Sequence, residues 1–581
     1  MNEFLASLKK AAALHQEGRL DEAQPIYRQL LSQNPNHPDV LNLSGLLAHA
    51  QGRHDQAIDL ITKAVSVMPD NPNFRNNLGS VLASAAEFER AVEQFRAAVS
   101  LNPKSGIAHE NLGNALTQLG RFAEAVAPYE SFVALEPERE DGYLHLAHAL
   151  NKSGRPQEAM ACLRRFLAID DGFPKSNNNL GAMLEESGQT DEAILLYRRA
   201  IKADPGYAAA HANLATALWE EKQLKEAEEN ARKALDLNPS LQAAKTALGL
   251  ILLAKGNIQE ASDCIFEPTR RFREERDDGA PLDHAFNQIN HYKILHDTEQ
   301  LQYLYDLGSM RDKAAALLAE YKKIGDGIPD DGTVVYVSGL PVQPSHEFKK
   351  SYNRLLNLYA APAIEGGVLS PALDTEAIQG AYHDNPPGFA MVDQFLRPEA
   401  LAELRRFCLE STIWYDASAI GDLGASLEEG FCCPLLLQIA EEIRERFPRI
   451  YGEHYFSTCW SYRYYAQKSG DDLHGDSGRV SVNIWLTPDD ANLDPEGGGL
   501  LFWNKKVPML EVKDNPKEMT LQIMRDIISA PDAESFKVPY RCNRATLFNS
   551  NVIHKTDRLN FRSGYLNRRM NITFVFGKPE Y

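Results

Sequence analysis

Cysteine is scarce in this sequence, and no two cysteines have the CxxC spacing. The seven cysteines among 581 residues make neither a dense disulfide framework nor a cysteine zinc site. Free thiols and a reducing compartment are therefore expected. The adjacent pair Cys432-Cys433 is interpreted as two buried structural thiols rather than as a redox pair.

Long apolar runs and an excess of positive charge are also absent. No apolar stretch reaches the roughly 18 residues that a transmembrane helix needs, and the apolar patch near the N-terminus is too short for a secretory signal. The net charge of −19 disfavours nucleic acids and anionic membranes as partners, because both require a basic face. We therefore expect a cytoplasmic protein with neither kind of partner.

A repeat of 34 residues fills the first half of the chain. Alanine recurs at that interval, at Ala23, Ala57, Ala91, Ala125, Ala159, Ala193, Ala227 and Ala261. A second column holds small residues, at Ala11, Gly45, Gly79, Gly113, Ala147, Gly181, Ala215 and Gly249. We call the alanines of the first column the register alanines. Four residues after most of them comes a large side chain, at Tyr27, Ile61, Phe95, Tyr129, Leu163, Tyr197 and Ile265.

Each repeat predicts two antiparallel helices. The small residue lets the first helix approach the second closely, and the large residue one turn after the register alanine fills the remaining space. Prolines such as Pro69 and Pro103 end the second helix. This pattern resembles the tetratricopeptide repeat and predicts an array of about eight repeats over residues 1–270. The resemblance implies an α superhelix with a groove lined by the first helix of each repeat.

Asparagine recurs at one further position of the repeat, at Asn77, Asn111, Asn179 and Asn213. Because asparagine is a mediocre helix former, its recurrence in the first helix suggests a use. An amide side chain can pair with both the N–H and the C=O of an extended peptide, and similar ladders line the groove of peptide-binding tetratricopeptide arrays. The ladder predicts a groove that binds a protein or peptide. The alternative is that these amides satisfy neighbouring backbone or follow the repeat consensus.

The repeat register is lost from residue 271 onwards. Helical patterns around 282–325 predict a mostly helical connector over residues 271–385. Three histidines in this segment, His284, His291 and His296, have spacings that do not place three imidazoles on one short helical face. A packed connector is therefore preferred over a metal site.

Short runs of strong β formers follow in residues 386–581. Strands are predicted at 459–465, 480–486, 500–503, 545–548 and 570–576. Many short strands joined by glycine-rich turns are typical of a double-sheet jelly roll.

The triplet His474-Gly475-Asp476 lies among these strands. A His-x-Asp triplet alone carries little information, since His37-Pro38-Asp39 between the first two repeats is another. The later triplet differs in context, because Gly497-Gly498-Gly499 and a strand follow it and His554 comes just after a further strand. Arg569 then opens the last strand.

This ordered set resembles the Fe(II)- and 2-oxoglutarate-dependent oxygenases, especially the prolyl-hydroxylase-like branch, over residues 386–581. The resemblance implies a double-stranded β-helix, or jelly roll. It implies that His474, Asp476 and His554 bind the metal and that Arg569 binds the distal carboxylate of 2-oxoglutarate. It adds no catalytic residue beyond the metal ligands, and ascorbate enters as an optional reductant.

The residue types suit that chemistry. Two imidazoles and one carboxylate cover one face of an octahedral Fe(II) and leave three positions open, two for the keto acid and one for dioxygen. The planar fork of Arg569 can bind both oxygens of a carboxylate and stays charged when buried. Thr573 shares the strand face of Arg569 and can add a hydroxyl contact. Tyr465 is a further candidate for a co-substrate contact, with a packing role as the alternative.

Two spacings exceed what a compact member of this family needs. The excess between Asp476 and His554 falls around 505–540, which is either a lid over the site or an insert without that role. Other basic residues compete with Arg569 as the carboxylate partner: Arg558, Arg562 and Arg568. Arg569 is preferred for its position on the last strand.

The sequence thus predicts a dioxygenase that hydroxylates a protein or peptide recruited by the repeat groove. Two alternatives remain: an oxygenase acting on a small molecule, with the repeats used for assembly, and a repeat scaffold without turnover. A repeat-fused glycosyltransferase is rejected because no parallel α/β nucleotide-sugar domain follows the repeats.

Overall fold

The computed structural model describes residues 2–273, 288–340, 342–418, 421–465, 473–507 and 517–578. Its internal contacts divide the chain into two compact units, with the boundary between Pro205 and Gly206. Among the described helices, none combines the length and the apolar character needed to cross a bilayer.

The first unit consists of helical pairs, and the described residues 2–205 form six of them. The helices are α1 (Asn2–Gln16), α2 (Leu20–Gln33), α3 (Pro38–Ala50), α4 (His54–Val67), α5 (Pro72–Ser84), α6 (Phe88–Leu101), α7 (Gly106–Gln118), α8 (Phe122–Leu135), α9 (Glu140–Lys152), α10 (Pro156–Leu167), α11 (Pro174–Glu186) and α12 (Thr190–Ala203). Glycines such as Gly52 adopt a positive φ where the first helix ends, a conformation that residues with a Cβ rarely adopt.

The second unit begins with two more pairs of the same kind. These are α13 (Ala208–Glu220), α14 (Leu224–Leu237), α15 (Gln242–Ala254) and α16 (Ile258–Arg273). The described chain therefore contains eight helical pairs over residues 2–273, as the 34-residue period predicts.

The alanine register marks the closest contact within each pair. All eight register alanines are 0% exposed. The small residue of the first helix faces the large residue of the second, so that a Cβ added to Gly79 would lie 2.6 Å from the Phe95 ring. The prediction that these columns hold the two helices together is confirmed.

Substituting Gly79 by alanine is expected to destabilise the repeats by about 1–3 kcal/mol, because the Cβ would overpack against Phe95. This cost exceeds the gain of about 0.5–1 kcal/mol that alanine brings to a helix interior. Leucine should fit better beside the new methyl group, since the fifth repeat pairs Ala147 with Leu163. We expect the double variant Gly79→Ala/Phe95→Leu to be more stable in urea unfolding than the sum of the two single changes indicates. Strict additivity would contradict this account of the contact.

Residues 288–384 form a small layer of helices after the repeats. Its elements are β1 (Gln288–Ile289), α17 (His291–Leu307), α18 (Arg311–Gly325), β2 (Val335–Tyr336), α19 (His346–Ser351) and α20 (Thr375–Asp384). A core that includes Leu301, Tyr321 and Phe348 holds α17, α18 and α19 together. His284 lies outside the described residues, and His296 is buried with Nδ1 2.8 Å from the Tyr465 hydroxyl.

The remaining residues form a β-rich region with flanking helices. Its strands are β3 (Phe389–Val392), β4 (Asp416–Ala417), β5 (Asp422–Ser426), β6 (Phe456–Tyr464), β7 (Val480–Trp485), β8 (Leu500–Lys506), β9 (Ser535–Val538), β10 (Ala545–Asn549), β11 (Val552–Thr556) and β12 (Met570–Phe576). Its helices are α21 (Pro398–Glu410), α22 (Pro434–Arg446), α23 (Pro448–Tyr451) and α24 (Lys517–Ile528). All five strands predicted from the sequence are present.

The described strands of this region, β3 to β12, form two antiparallel sheets. The larger has the order β3-β10-β7-β12-β6-β5-β4, and the smaller has the order β11-β8-β9. A shared core packs them together, with Trp485 and Phe548 from the large sheet against Phe502 and Val552 from the small one. The C-terminal part of the chain is therefore β-rich, as expected.

The seventh and eighth repeats pack on this β-rich region. Trp219 of α13 stacks on Tyr455, with ring centroids 5.8 Å apart. Helix α16 lies against α22, where the Ser262 hydroxyl meets the thiol of Cys432. The end of the repeats near residue 270 is therefore not the end of a compact unit.

Candidate metal centre

Backbone hydrogen bonds bring His474 and His554 together. The amide of His474 donates to the His554 carbonyl at 3.0 Å, and the amide of His554 donates to the His474 carbonyl at 2.9 Å. This antiparallel bridge sets the segment around His474 beside β11. The two imidazole centroids are 4.4 Å apart.

Asp476 completes the cluster from two residues further on. Alternation along an extended chain puts it on the same side as His474, and its amide donates to the Ser550 carbonyl at 2.7 Å. The intervening Gly475 is needed because an added Cβ would lie 2.8 Å from Val507 Cγ2. One nitrogen or oxygen of each of the three residues lies within 4.8 Å of the others, and this is the one such group found in the described residues.

The ring of His554 is oriented so that its Nε2 atom can bind a metal. Its Nδ1 lies 2.9 Å from the Val552 carbonyl, so Nδ1 carries the proton and donates it there. Nε2 then points towards Asp476, with the Oδ1 atom 3.8 Å away. The rings of Phe502 and Phe548 pack against the imidazole, with centroids 5.4 and 5.0 Å from it.

Burial keeps the His554 ring neutral. The pKa of His554 is lowered to about 4, chiefly by burial and then by the neighbouring His474, while Asp476 and the Val552 carbonyl act in the opposite direction. Neutral imidazole is the form that binds a metal. Asp476 Oδ2 is buried and has no hydrogen-bond partner among the described residues, and such an atom normally has one. A divalent cation bound by His474, Asp476 and His554 would give a partner to the Asp476 oxygen and to Nε2 of the neutral His554 ring.

Arg569 is a buried guanidinium without a counter-ion. It is 1% exposed, and among the residues that the structure describes no carboxylate pairs with it. Its Nε donates to the Gly498 carbonyl at 2.6 Å and its Nη1 to Asn571 Oδ1 at 2.9 Å. Since a buried charge is costly unless it is paired, Arg569 fits an anionic ligand.

The glycine triplet brings its backbone to Arg569. A Cβ on Gly499 would collide with the Val538 carbonyl of the adjacent strand β9. Glycine there lets the chain enter β8 close to β9, with the Gly498 carbonyl directed at the guanidinium. This explains a motif that the sequence singled out without a role.

Polar side chains continue from Arg569 along the inner face of the large sheet. Alternation on β12 puts Asn571 and Thr573 on this face, and Thr573 lies opposite Asn483 of β7. The Asn483 amide donates to the Thr573 hydroxyl at 3.1 Å. Asn483 Oδ1 and the hydroxyl of Thr546 are buried without a partner. Polar atoms between two sheets need partners, so this interior suits a polar ligand better than a dry core.

The competing arginines all have carboxylate partners. Arg558 Nε lies 2.7 Å from Asp494, Arg562 Nη1 lies 3.4 Å from Asp490, and Arg568 Nη2 lies 3.1 Å from Glu299. Of the four arginines considered from the sequence, Arg569 alone is without an acidic partner in the described part of the chain.

Tyr464, rather than Tyr465, faces Arg569. The Arg569 guanidinium carbon lies 4.6 Å from the centre of the Tyr464 ring, and the two residues line a cavity of about 220 Å³. The Tyr465 hydroxyl is directed to His296, although its ring also borders this cavity. Sequence reasoning missed Tyr464. Alternation along β6 puts the two tyrosines on opposite faces of the sheet, and the strand register decides which of them meets Arg569.

The insert around 505–540 contains α24 and β9. Helix α24 packs through Met524 on Leu473 and Ile553, the residues that directly precede His474 and His554. Adjacent side chains of an extended chain point to opposite faces. Helix α24 therefore packs on the face opposite to the His474 and His554 side chains. Residues 508–516 lie outside the described part.

The asparagine ladder is partly hydrogen-bonded within the array. The Asn77 amide donates to Asn42 Oδ1 and the Asn111 amide to Asn76 Oδ1, both at 3.0 Å. Asn179 is exposed. These two amides therefore bond neighbouring asparagine side chains rather than the backbone that the alternative named, and a peptide role for the ladder stays a prediction.

Known families match the repeats. One tetratricopeptide-repeat model matches residues 14–76 and 184–229, and a second matches 76–143, 119–177 and 212–262. A comparison with curated proteins finds no match.

Several solved structures are similar to this chain. YrrB, a TPR protein with an unusual peptide-binding site, is 25% identical, with 32% of this chain and 95% of that chain covered and a TM-score of 0.28. The C-terminal part of a TPR repeat-containing protein from Cytophaga hutchinsonii is 16% identical, with 42% and 99% covered and a TM-score of 0.37. The APC/C hetero-tetramer Cut9-Hcn1 is 21% identical, with 45% and 52% covered and a TM-score of 0.31. On the family matches, the N-terminal region of this chain consists of tetratricopeptide repeats.

Proposed function

We propose that this chain is an Fe(II)- and 2-oxoglutarate-dependent dioxygenase that hydroxylates a protein or peptide recruited by its repeats. The observation that carries the proposal is the buried group of His474, Asp476 and His554. Its donor set, two imidazoles and one carboxylate, is the one that leaves positions open on Fe(II) for a keto acid and dioxygen.

The sheet topology supports a jelly roll around this site. From β6 onwards the chain passes repeatedly between the two sheets: β7 is in the large sheet, β8 and β9 in the small one, β10 in the large, β11 in the small and β12 in the large. Two facing antiparallel sheets connected in this way are typical of double-sheet jelly rolls. The proposed ligands then lie on the small-sheet side, and Arg569 lies at the start of the last strand of the large sheet.

Each residue has a defined task in this proposal. His554 Nε2, the His474 imidazole and the Asp476 carboxylate bind the metal, and the Val552 carbonyl holds the His554 ring in the required tautomer. Arg569 binds the distal carboxylate of the co-substrate, beside Tyr464. When bound, Fe(II) and 2-oxoglutarate would supply the chemistry that inserts one oxygen atom of O2 into a substrate C–H bond. The other oxygen atom would enter succinate, and CO2 would be released.

The decisive experiment is anaerobic binding followed by oxygen. The purified full-length chain is loaded with Fe(II) and 2-oxoglutarate without oxygen, and succinate is measured after oxygen is admitted. The proposal predicts binding of both and succinate release with or without substrate. The proposal would be refuted if the chain bound neither Fe(II) nor 2-oxoglutarate and released no succinate.

A repeat scaffold without turnover is the second candidate. The family models match within residues 14–262, and tetratricopeptide repeats support interactions with peptides or proteins. A scaffold predicts the same peptide binding but no succinate, so the oxygen experiment separates the two functions.

Replacing Asn77, Asn111, Asn179 and Asn213 together is expected to impair hydroxylation of a polypeptide substrate. Each neutral hydrogen bond contributes only about 0.5–1.5 kcal/mol, so single variants should be mild and the quadruple variant severe. The measurement is the ratio of hydroxylated substrate to succinate formed without substrate. An unchanged ratio in the quadruple variant would favour the small-molecule oxygenase, with the repeats used for assembly.

A further inference from the structure

Strand β6 presents a row of aromatic rings on one face. Trp460, Tyr462 and Tyr464 alternate along the strand and are all only half-buried. The residues between them face the other way and are fully buried, as Ser461 and Arg463 show. This sheet face is therefore only partly covered, although it carries large aromatic side chains.

The edge strands extend this face away from the metal centre. Cross-strand partners lie on one face of a sheet, and the register pairs Ser426, Gly424 and Asp422 of β5 with Trp460, Tyr462 and Tyr464, respectively. On β4, Asp416 pairs with Gly424. We call the surface made by Asp416, Asp422, Gly424, Ser426, Trp460 and Tyr462 the aromatic platform.

The aromatic platform adjoins the proposed active site. Tyr464, at its inner end, packs against Arg569, and Thr573 pairs with Trp460 in the sheet. The pKa of Tyr462 is raised, chiefly by burial and then by Tyr464 and by the carboxylates of Asp422, Asp416 and Asp476.

The floor of the platform is flat beside Tyr462. Gly424 has no side chain, and an added Cβ would lie 3.3 Å from Tyr462 Cε1. The small sheet packs on Trp485 and Phe548, with Tyr464 at the margin of that shared core. The rings of Trp460 and Tyr462 are not part of this shared core and stay partly exposed.

The free edge of the platform is acidic. Asp416 is exposed, and the described residues include no cation that pairs with it. A cavity of about 450 Å³ is lined by Asp416 and Ser426 and also by Glu428, Glu429 and Arg273, of which the last two pair with each other at 3.2 Å. A cationic side chain would complement Asp416 there, and its neighbours could approach the aromatic faces.

We propose that the aromatic platform holds the substrate polypeptide next to the metal centre and selects a segment that carries lysine or arginine near the oxidised residue. This inference rests on the proposed function for the oxidation step. The binding preference itself rests only on the sheet face, because the partly exposed aromatic rings attract cations and Asp416 supplies the opposite charge.

The test compares three labelled peptides on the full-length chain by fluorescence anisotropy. They share one glycine- and alanine-based frame and carry lysine, glutamate or serine at the same positions. We expect the lysine peptide to bind best and Asp416→Lys to weaken its binding about tenfold while improving binding of the glutamate peptide. Asp384→Lys is the matched control. Asp384 is exposed at the end of α20, and this substitution changes the net charge by the same amount as Asp416→Lys.

A second readout uses the iron-loaded chain and a random peptide library. Peptides that gain one oxygen atom, detected by mass spectrometry, should be enriched in lysine or arginine, and Asp416→Lys should remove this enrichment. Equal binding of the three peptides, or equal effects of Asp416→Lys and Asp384→Lys, would overturn the proposal. Selective binding without succinate release would instead refute the proposed function and leave the platform as a site for basic peptides.

Discussion

Alanine at His474 or at Asp476 is expected to abolish Fe(II) binding while the repeats stay folded. Each substitution removes one of three donors, and the remaining two cannot hold one face of the metal. Iron per chain after anaerobic loading and gel filtration should fall from one to near zero. Circular dichroism should retain the helical signal, because the repeats lie outside the altered site.

The chain offers a matched control for this prediction. His37-Pro38-Asp39 is a second His-x-Asp triplet, located where the third helix of the array begins. His37→Ala should leave the iron content unchanged. Full iron content in both His474→Ala and Asp476→Ala would remove the basis for the metal assignment.

Arg569→Ala is expected to raise the apparent constant for 2-oxoglutarate strongly with iron still bound. Removing one partner of a buried, charge-assisted pair costs about 2–5 kcal/mol. Since each 1.4 kcal/mol corresponds to tenfold in affinity, the constant should rise by at least roughly thirtyfold. Titration of the iron complex with 2-oxoglutarate under nitrogen measures this directly.

Two neighbouring arginines serve as controls. Arg562 and Arg568 already pair with Asp490 and Glu299, so their alanine variants should change the 2-oxoglutarate constant little. If either variant raised the 2-oxoglutarate constant strongly and Arg569→Ala did not, the distal carboxylate would be bound by that arginine and not by Arg569.

The repeats could be predicted because their signal is local and recurs in register. Each repeat places Ala, a small residue and a large residue at fixed offsets, and every offset corresponds to a contact within one helical pair. One match such as Ala57 means little, whereas eight register alanines that are all buried specify the fold. The proposed ligands came instead from a family resemblance, which the order of His474, Asp476 and His554 along the chain carries.

Features that depend on pairing between distant segments could not be read from the sequence. The choice between Tyr464 and Tyr465 depends on the strand register, in which Tyr464 meets Arg569 and Tyr465 meets His296. A shift of one residue would exchange the two faces. The edge strands β4 and β5 are short, at Asp416–Ala417 and Asp422–Ser426, and their composition gives no strong β signal.

The packing of the seventh and eighth repeats on the β-rich region has a consequence for how this protein can vary in length. Contacts such as Trp219 with Tyr455 hold these two repeats against the region that carries the proposed metal centre. Whole repeats can therefore be deleted or duplicated before Gly206 without altering those contacts, whereas a deletion after it would expose a hydrophobic surface. The repeat array can thus be lengthened or shortened in steps of 34 residues from the N-terminal side, while the β-rich region at the other end stays unchanged.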